Sequence, residues 1–511
     1  MYNESSSKKI ITMDRTRSVL IYNYEPYEKT ERIELQISDP DVIVTGKDGP
    51  IQAQIEPYFD AVHGKFTENY LLVFFTFLNA LSFIRITIQK NHSTTTEIAQ
   101  ILTPMQQSPV VIKNISKKFH VLTINKNEFI LQTSQMFVEL NSENGLLKTI
   151  YFNIAKNGTE RLRCEQEFSY YNSTYSGAYI MALENDKLTK LEMNDAETFI
   201  VSGSLRQTVY TLSEFIKQRL SVNNITGVEG SHLHMQLHVD IRKMSGVELI
   251  TKFSTDMIAD DIEYYTDSNG MQLIKRAEYD LYNRPEVNYY PMPTALVLQD
   301  LSKRVSILSN VPHGVRTFNK TNFEIMLDRR LSTDDGKGLG PGHDSLPVDN
   351  LPVNMAFIFV MERMISIKPY EQQQRRFAYN TLNAHLALQS LIYQPNIFII
   401  SGIFKNASFH HLQSFPCDVQ LLTVRPLTSD INRRLMILYR AGIDCTSLNL
   451  PVCRGNELDL ALKKYLQSIG VRAVQKTLLN GIKQVSKEIH YQLATFFLEP
   501  TDFATYLIRF N

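Results

Sequence analysis

Short runs in which apolar and polar side chains alternate recur from residue 18 onward, at 18–22, 32–37, 42–45, 52–55 and 83–88. A period of two places one face of each run in a core and the other in water, the signature of half-buried strands. Asp39-Pro40 and the Gly46 to Gly49 segment supply the intervening turns. These runs predict a small β-sandwich over 18–109, preceded by a polar segment at 1–17 and closed by a seam in the polar stretch holding Pro104 and Pro109. From 110 to 392 strand signals continue, separated by turns such as Asn144-Gly145, Asn157-Gly158 and Asn269-Gly270, which favours one large sandwich. Residues 393–511 read as a C-terminal β-domain with strands near 396–401 and 434–439 and one short helix at 456–469. The predicted fold class is all-β, built from several β-sandwiches.

Composition narrows the function more than the fold. The 53 basic and 53 acidic residues cancel, so no field exists to draw nucleic acid or an anionic membrane surface. The longest apolar run, 70–83, is interrupted by Thr76, Asn79 and Ser82 and is too short to span a bilayer, so no direct membrane span is expected. Residues 1–17 lack the apolar core of a secretory signal. Against that stand eight Asn-x-Ser/Thr sequons, at Asn3, Asn91, Asn114, Asn157, Asn172, Asn224, Asn319 and Asn406. Four cysteines exclude a disulfide scaffold, but Cys445 and Cys453 bracket a short loop containing Pro451 that could bring two sulfurs into bridging range. Such a bridge requires an oxidising compartment.

The densest chemistry lies between Leu327 and Gly342. A strand carrying Arg329 and Arg330 ends in a loop with Asp334, Asp335 and four glycines. Adjacent strand residues point to opposite faces, so only one arginine enters a given cleft, where a planar guanidinium can hold hydroxyls or a carboxylate. The alternative is an Arg-Asp network that pins the loop. Ser176-Gly177-Ala178 lets the backbone approach a neighbour closely just before Tyr179, whose phenol is either a polar contact or a packed core ring. His232, His234 and His238 share one strand face, a pattern open to a metal. With no Cys, Asp or Glu read as completing a shell, alternation with Leu, Met and Val makes a half-solvated strand the preferred reading. Asp260-Asp261 and Asp334-Asp335 are adjacent pairs suited to turns rather than to acid and base roles across a glycosidic bond. Cys164 and Cys417 have no spaced histidine partner, and no Gly-x-Ser-x-Gly elbow occurs.

Leu327-Asp328-Arg329-Arg330-Leu331 with its Asp-Asp pair and Gly-Leu-Gly run closely resembles the C-terminal region of family 38 α-mannosidases. The resemblance recurs in order at Ser176 to Tyr179, at 264–270, at 288–293, at 416–422 and at 498–506. It implies that the large sandwich is a mutarotase-like supersandwich. It also implies a bridge between Cys445 and Cys453, a secretory-pathway location (Golgi or lysosome), and glycans at Asn91, Asn114, Asn157, Asn172, Asn224, Asn319 and Asn406. In the family, the tyrosine after Ser-Gly-Ala and an arginine of the Asp-Arg-Arg strand touch bound mannose; the matching positions are Tyr179 and Arg330, with Arg329 as the alternative. The Phe-Leu-Pro run that often follows the tyrosine is replaced by Ile180-Met181-Ala182. Family members bind zinc with two histidines and two aspartates, one of them the nucleophile, on a preceding barrel, and this sequence shows no counterpart. The expectation is therefore a mannose-containing glycan as ligand, a barrel-bearing catalytic region as partner, and no cofactor, metal or catalytic residue in this chain. The competing expectation is a non-catalytic carbohydrate-binding or regulatory module derived from an α-mannosidase.

Overall fold

In a computed structural model, the alternation read in the sequence resolves, among the described residues, into five sheets of five, twelve, nine, four and five strands. The residues described are 10–510, excepting 92–94, 106–109, 126–128, 153–157, 174, 259–261, 280–283, 334–336, 338–350, 366–376, 401–412, 428–429 and 448–456. The fold is all-β; two α-helices, Leu382–Ile392 and Leu458–Ser468, occur among the described residues.

A four-stranded sheet containing Lys29–Ile37, Ala53–Asp60 and Lys65–Leu78 packs on a five-stranded sheet containing Arg17–Asn23 and Ser82–Lys90. Val19, Ile21, Ile33, Leu35, Leu72, Phe74 and Ile86 fill the space between them. Asn396–Ile400, expected among the C-terminal strands, pairs instead with Arg17–Asn23 in the register Val19↔Ile399. The apolar run of Ile397 to Ile400 extends an open sheet edge far away in sequence, a partnership that no local pattern reveals.

The twelve- and nine-stranded sheets form the large sandwich, with side chains from both sheets meeting in one core, among them Phe168, Ile200, Leu220, Met235, Leu249, Phe253, Phe323 and Phe359. Gly145 turns the chain between Met136–Leu140 and Leu147–Phe152 at φ +68°, where a Cβ would meet Thr211 and Thr198. The helix Leu382–Ile392 covers one face of the twelve-stranded sheet, against Val360, Ile358 and Leu308. It escaped the sequence reading because it has no wet face to mark a 3.6-residue period: Asn383, Ala384, His385, Ala387, Leu388 and Gln389 are all buried. Its start was nonetheless written in Thr381, whose hydroxyl caps the Ala384 amide. The helix expected at 456–469 is Leu458–Ser468, whose Ala461, Leu462, Tyr465 and Leu466 pack on the C-terminal sheet.

Buried ion pairs fasten these bodies together. Arg206 of the large sandwich is gripped by Glu56 of the small one through Nε–Oε1 (2.9 Å) and Nη2–Oε2 (2.6 Å), and Gln54 accepts the Leu205 and Arg206 amides. On the other side, Arg304 binds Asp444 (3.0 Å) and the Tyr379 carbonyl (2.6 Å).

The cysteine expectation requires correction. Cys445 is a free, exposed thiol, whereas Cys417 is disulfide-bonded; Cys453 lies outside the described residues. The expected pairing took the nearest cysteine in sequence. The strand pairing Val419↔Arg440 sets the strand that follows Cys417 beside the strand that leads into Cys445, a long-range placement that spacing along the chain does not reveal.

Candidate functional site

Asn322–Arg330 lies in the nine-stranded sheet between Val247–Thr255 and His313–Phe318. Phe323, Ile325 and Leu327 point into the core, and Glu324 points away from it. Alternation is then broken: Ile250 pairs with Met326 but Leu249 pairs with Asp328, so one extra residue is accommodated. Such a bulge re-aims everything beyond it. Arg329 consequently stands opposite Glu248, on the face turned away from the core, while Arg330 stands opposite Val247 and leaves the strand on the other side.

Arg329 and Glu248 form a two-pronged ion pair, Nε–Oε2 at 2.6 Å and Nη2–Oε1 at 3.0 Å, with the carboxylate fully buried and the guanidinium a quarter exposed. Its Nη2 also reaches the carbonyls of Gly177 (3.3 Å) and Ile180 (3.4 Å). Those two residues close a tight hairpin through Gly177 N–H to Ile180 O (2.9 Å), and Ser176, fully buried, accepts the Ala182 amide with its hydroxyl (2.8 Å). Ala178 and Tyr179 form the tip. Tyr179 is 75% exposed, so it is not a core ring, and Tyr175 and Ile180 beside it are also exposed. Of the two arginines, Arg329 is the one tied to the tyrosine hairpin.

Behind this edge sits Glu324, fully buried and accepting hydrogen bonds from Tyr289 (2.7 Å) and Tyr171 (3.1 Å), with Arg316 at 3.7 Å. Burial raises its carboxyl pKa, an effect opposed by Arg316 and the two phenols. Both carboxylates near the hairpin are therefore closed off by partners. Their chemistry is to hold a surface in place rather than to attack a substrate.

With this geometry in view, comparison with known proteins is decisive. Residues 131–337 match the model of the "Glycosyl hydrolases family 38 C-terminal domain". The chain carries the family 38 C-terminal domain. It is similar to "Alpha-mannosidase 2x" of Mus musculus, with 25% identity across 98% of this chain and 44% of that protein. "Alpha-mannosidase 2" of Homo sapiens is 25% identical over 86% of this chain and 38% of that protein. The chain thus spans less than half the length of these relatives. The solved structure of "an alpha-mannosidase from Enterococcus faecalis V583" superposes over 99% of this chain and 57% of that one, with TM-score 0.58 and 12% identity, a likeness of fold.

The family 38 domain includes the Tyr179 hairpin, Arg329, Arg330 and the histidine strand. On that strand the structure corrects the expectation of a half-solvated surface. His232, His234 and His238 are all buried, because the twelve-stranded sheet is covered on both faces. Burial lowers the pKa of His232 to about 4, with a smaller opposing effect from Asn383, and depresses that of His238. His238 pairs with Asn354 (2.8 Å), away from the other two. The acid that does stand near them, Glu229, was overlooked although it lies three residues ahead of His232.

Other expected sites disperse. Asp260, Asp261, Asp334 and Asp335 lie outside the described residues, as do Asn3, Asn157 and Asn406. Asn91, Asn172, Asn224 and Asn319 are exposed, but the Asn224 amide donates to Ser204 O (3.0 Å) and its oxygen accepts the Ser134 amide. No helix among the described residues is long and apolar enough to cross a membrane.

Proposed function

We propose that this chain is the sugar-facing β-wall of a retaining, zinc-dependent α-mannosidase that trims mannose from N-linked glycans in the secretory pathway. A barrel-bearing catalytic region supplies the zinc and nucleophile, and the β-wall is inactive alone. The observation that supports this reading most is the Tyr179 hairpin: an exposed phenol on a turn whose carbonyls are pinned by Arg329, itself fixed by buried Glu248. A rigid aromatic tip loses little entropy on contacting a sugar. Tyr179 is assigned to the mannose, Arg329 to positioning Tyr179, and Arg330 to the opposite side of the strand.

The family's zinc set of two histidines and two aspartates is not matched by the grouping of potential ligands found among the described residues, Glu229, His232 and His234, which has no aspartate. The catalytic zinc is accordingly assigned to the catalytic region, and no step is routed through this chain. Release of an aryl alcohol from an aryl α-mannoside tests the proposal. The purified 511-residue chain is expected to release none, and zinc-dependent turnover by it would overturn the assignment. Asn91, Asn172 and Asn319 are assigned N-glycans; a glycosidase-sensitive mass at each peptide checks this, and unmodified peptides from secreted protein would refute it.

A second reading, a carbohydrate-binding or regulatory module, is favoured by the cluster of exposed Tyr175, Tyr179 and Ile180, an aromatic platform of the kind sugars stack on. Mannose-glycan binding by the isolated chain, lost in the Tyr175→Ala/Tyr179→Ala variant, would support it. Absence of any glycan affinity would count against it.

A further inference from the structure

Glu229 lies on the single helical turn Val228–Ser231, which runs directly into the strand His232–Val239. Strand alternation sends His232 and His234 to one face, and the turn folds Glu229 back over that face. The turn depends on Gly230, where a Cβ would collide with the carbonyl of Ile225. One ligand atom from each of the three side chains lies within 4.8 Å of the other two, with His234 Nε2 and Glu229 Oε2 at 4.0 Å.

The hydrogen bonds fix which ring nitrogens carry lone pairs. His232 Nε2 sits 2.9 Å from Asn383 Oδ1, an acceptor, so this nitrogen holds the proton and Nδ1 is bare. His232 Nδ1 is buried with no hydrogen-bond partner, in a side chain wholly removed from solvent. Arg32 Nη1 donates to Asn223 Oδ1 (3.4 Å), which turns the Asn223 amide nitrogen towards His234 Nε2 (3.3 Å) and makes that nitrogen an acceptor too. His232, with its proton held by an outer amide, is in the state that a metal ligand requires, and its buried lone pair without a donor is costly unless something fills it; at His234 a cation would take the Nε2 lone pair in place of the long Asn223 contact. Beside them a cavity of about 120 Å³ is lined by Glu229, His234, Glu31, Arg32 and Glu34. It leaves room for a water as a fourth ligand, and Glu31 and Glu34 offset the charge of Arg32.

We propose that Glu229, His232 and His234 bind one divalent cation of the zinc class, a borderline metal suited to imidazole and carboxylate together. Tetrahedral bonds of about 2.1 Å would place donor atoms roughly 3.4 Å apart, so separations of up to 4.8 Å close by about 1.4 Å at most, within the reach of χ rotations. The site lies where the small sandwich, the large sandwich and the helix Leu382–Ile392 meet, since Arg32, His234 and Asn383 come one from each. It does not depend on the assignment of a catalytic zinc under the proposed function.

Chelator-treated 511-residue chain, titrated with cobalt(II) and separately with zinc, provides the test. One equivalent is expected to bind, with the visible absorption of four-coordinate cobalt, and zinc is expected to displace it. Glu229→Gln and His234→Gln are each expected to weaken binding at least tenfold, while His238→Gln, on the same strand face, leaves it unchanged. Circular dichroism and metal-free Tm establish that each variant is folded. Failure of the wild type to bind, or an undiminished equivalent in a folded Glu229→Gln/His234→Gln chain, would overturn the proposal.

Discussion

Two Arg-Glu pairs in this molecule share the same two-pronged geometry and differ in what lies beyond them. Arg206 and Glu56 meet in the seam between the sandwiches with both side chains buried, and Glu34 and Gln54 use up the neighbouring hydrogen-bonding positions. Arg329 and Glu248 meet at a sheet edge with the guanidinium a quarter exposed, and the remaining donor capacity goes to two carbonyls of a hairpin that carries an exposed tyrosine. Identical chemistry therefore acts as cement where the network closes on itself and as a mount where it leaves a side chain pointing outward. Context, not residue type, decides which.

The sharpest way to break the comparison is to remove one partner in the seam. Arg206→Met leaves Glu56 as an uncompensated charge at a site with no solvent, and removal of one member of a buried pair costs about 3 to 5 kcal/mol. Replacing both, as Arg206→Met/Glu56→Gln, is expected to recover more than half of that loss, because no bare charge remains. Urea unfolding of the two variants measures the difference. Equal stabilities would mean that the pair is not the fastening it is taken to be.

Acid separates the two regions next. His313 lies one strand away from Arg329, donating Nδ1–H to the Met326 carbonyl (2.8 Å) and stacked on Phe357. Burial pulls its pKa from 6.5 down to about 4, opposed only by the Met326 contact. The unfolded chain takes up this proton near pH 6.5 and the folded chain only near 4. The stability due to the neutral ring is therefore intact above 6.5 and is lost as pH falls from 6.5 through 4. At pH 4.5 the loss amounts to roughly 2 to 3 kcal/mol. His313→Gln is expected to lower Tm at pH 7 yet to flatten the fall in Tm between pH 7 and 4.5. An unchanged pH dependence would assign the acid sensitivity elsewhere.

How much of this was legible in the sequence follows the same division between local and distant. The first strands and the helix at Leu458–Ser468 announced themselves through alternation and an amphipathic face, because their neighbours in space leave one side wet. The resemblance pointed to Tyr179 with Arg330 first and Arg329 as the alternative, but which arginine meets the hairpin was not legible in it. The bulge at Leu249 and Ile250 decides which arginine meets the hairpin, and a bulge carries no sequence signature of its own. Helix Leu382–Ile392, the edge strand Asn396–Ile400 and the bonded Cys417 were hidden because each is specified by a distant partner. Glu229 was a different kind of miss: the residue was in plain view, and only the turn that folds it over His232 was not.

Loosening the open pair should cost less than loosening the seam. Arg329→Met strands Glu248, but the neighbouring solvent can reach part of the gap, so a loss of about 2 kcal/mol is expected. The more telling readout is local: the amides of Gly177 and Ala182 should lose hydrogen-exchange protection while those of Val247–Thr255 beyond the bulge keep theirs. Uniform loss along that strand would make Arg329 a general support of the sheet instead of the mount of one hairpin.

Tyr179 itself should carry almost no stability. Its ring is three-quarters exposed, and surface substitutions away from special features stay within about 0.5 kcal/mol. Tyr179→Ala is therefore expected to unfold at the same urea concentration as the parent chain while weakening mannoside handling by the proposed mannosidase. Tyr179→Phe should give a smaller defect, separating the hydroxyl from the ring. A residue that costs nothing to remove from the fold yet is held by a hairpin, two carbonyl contacts and a buried ion pair is placed for what it touches outside. If Tyr179→Ala lowered stability as much as Arg329→Met, the hairpin would be packing for its own sake, and the distinction between cement and mount would fail at its most exposed point.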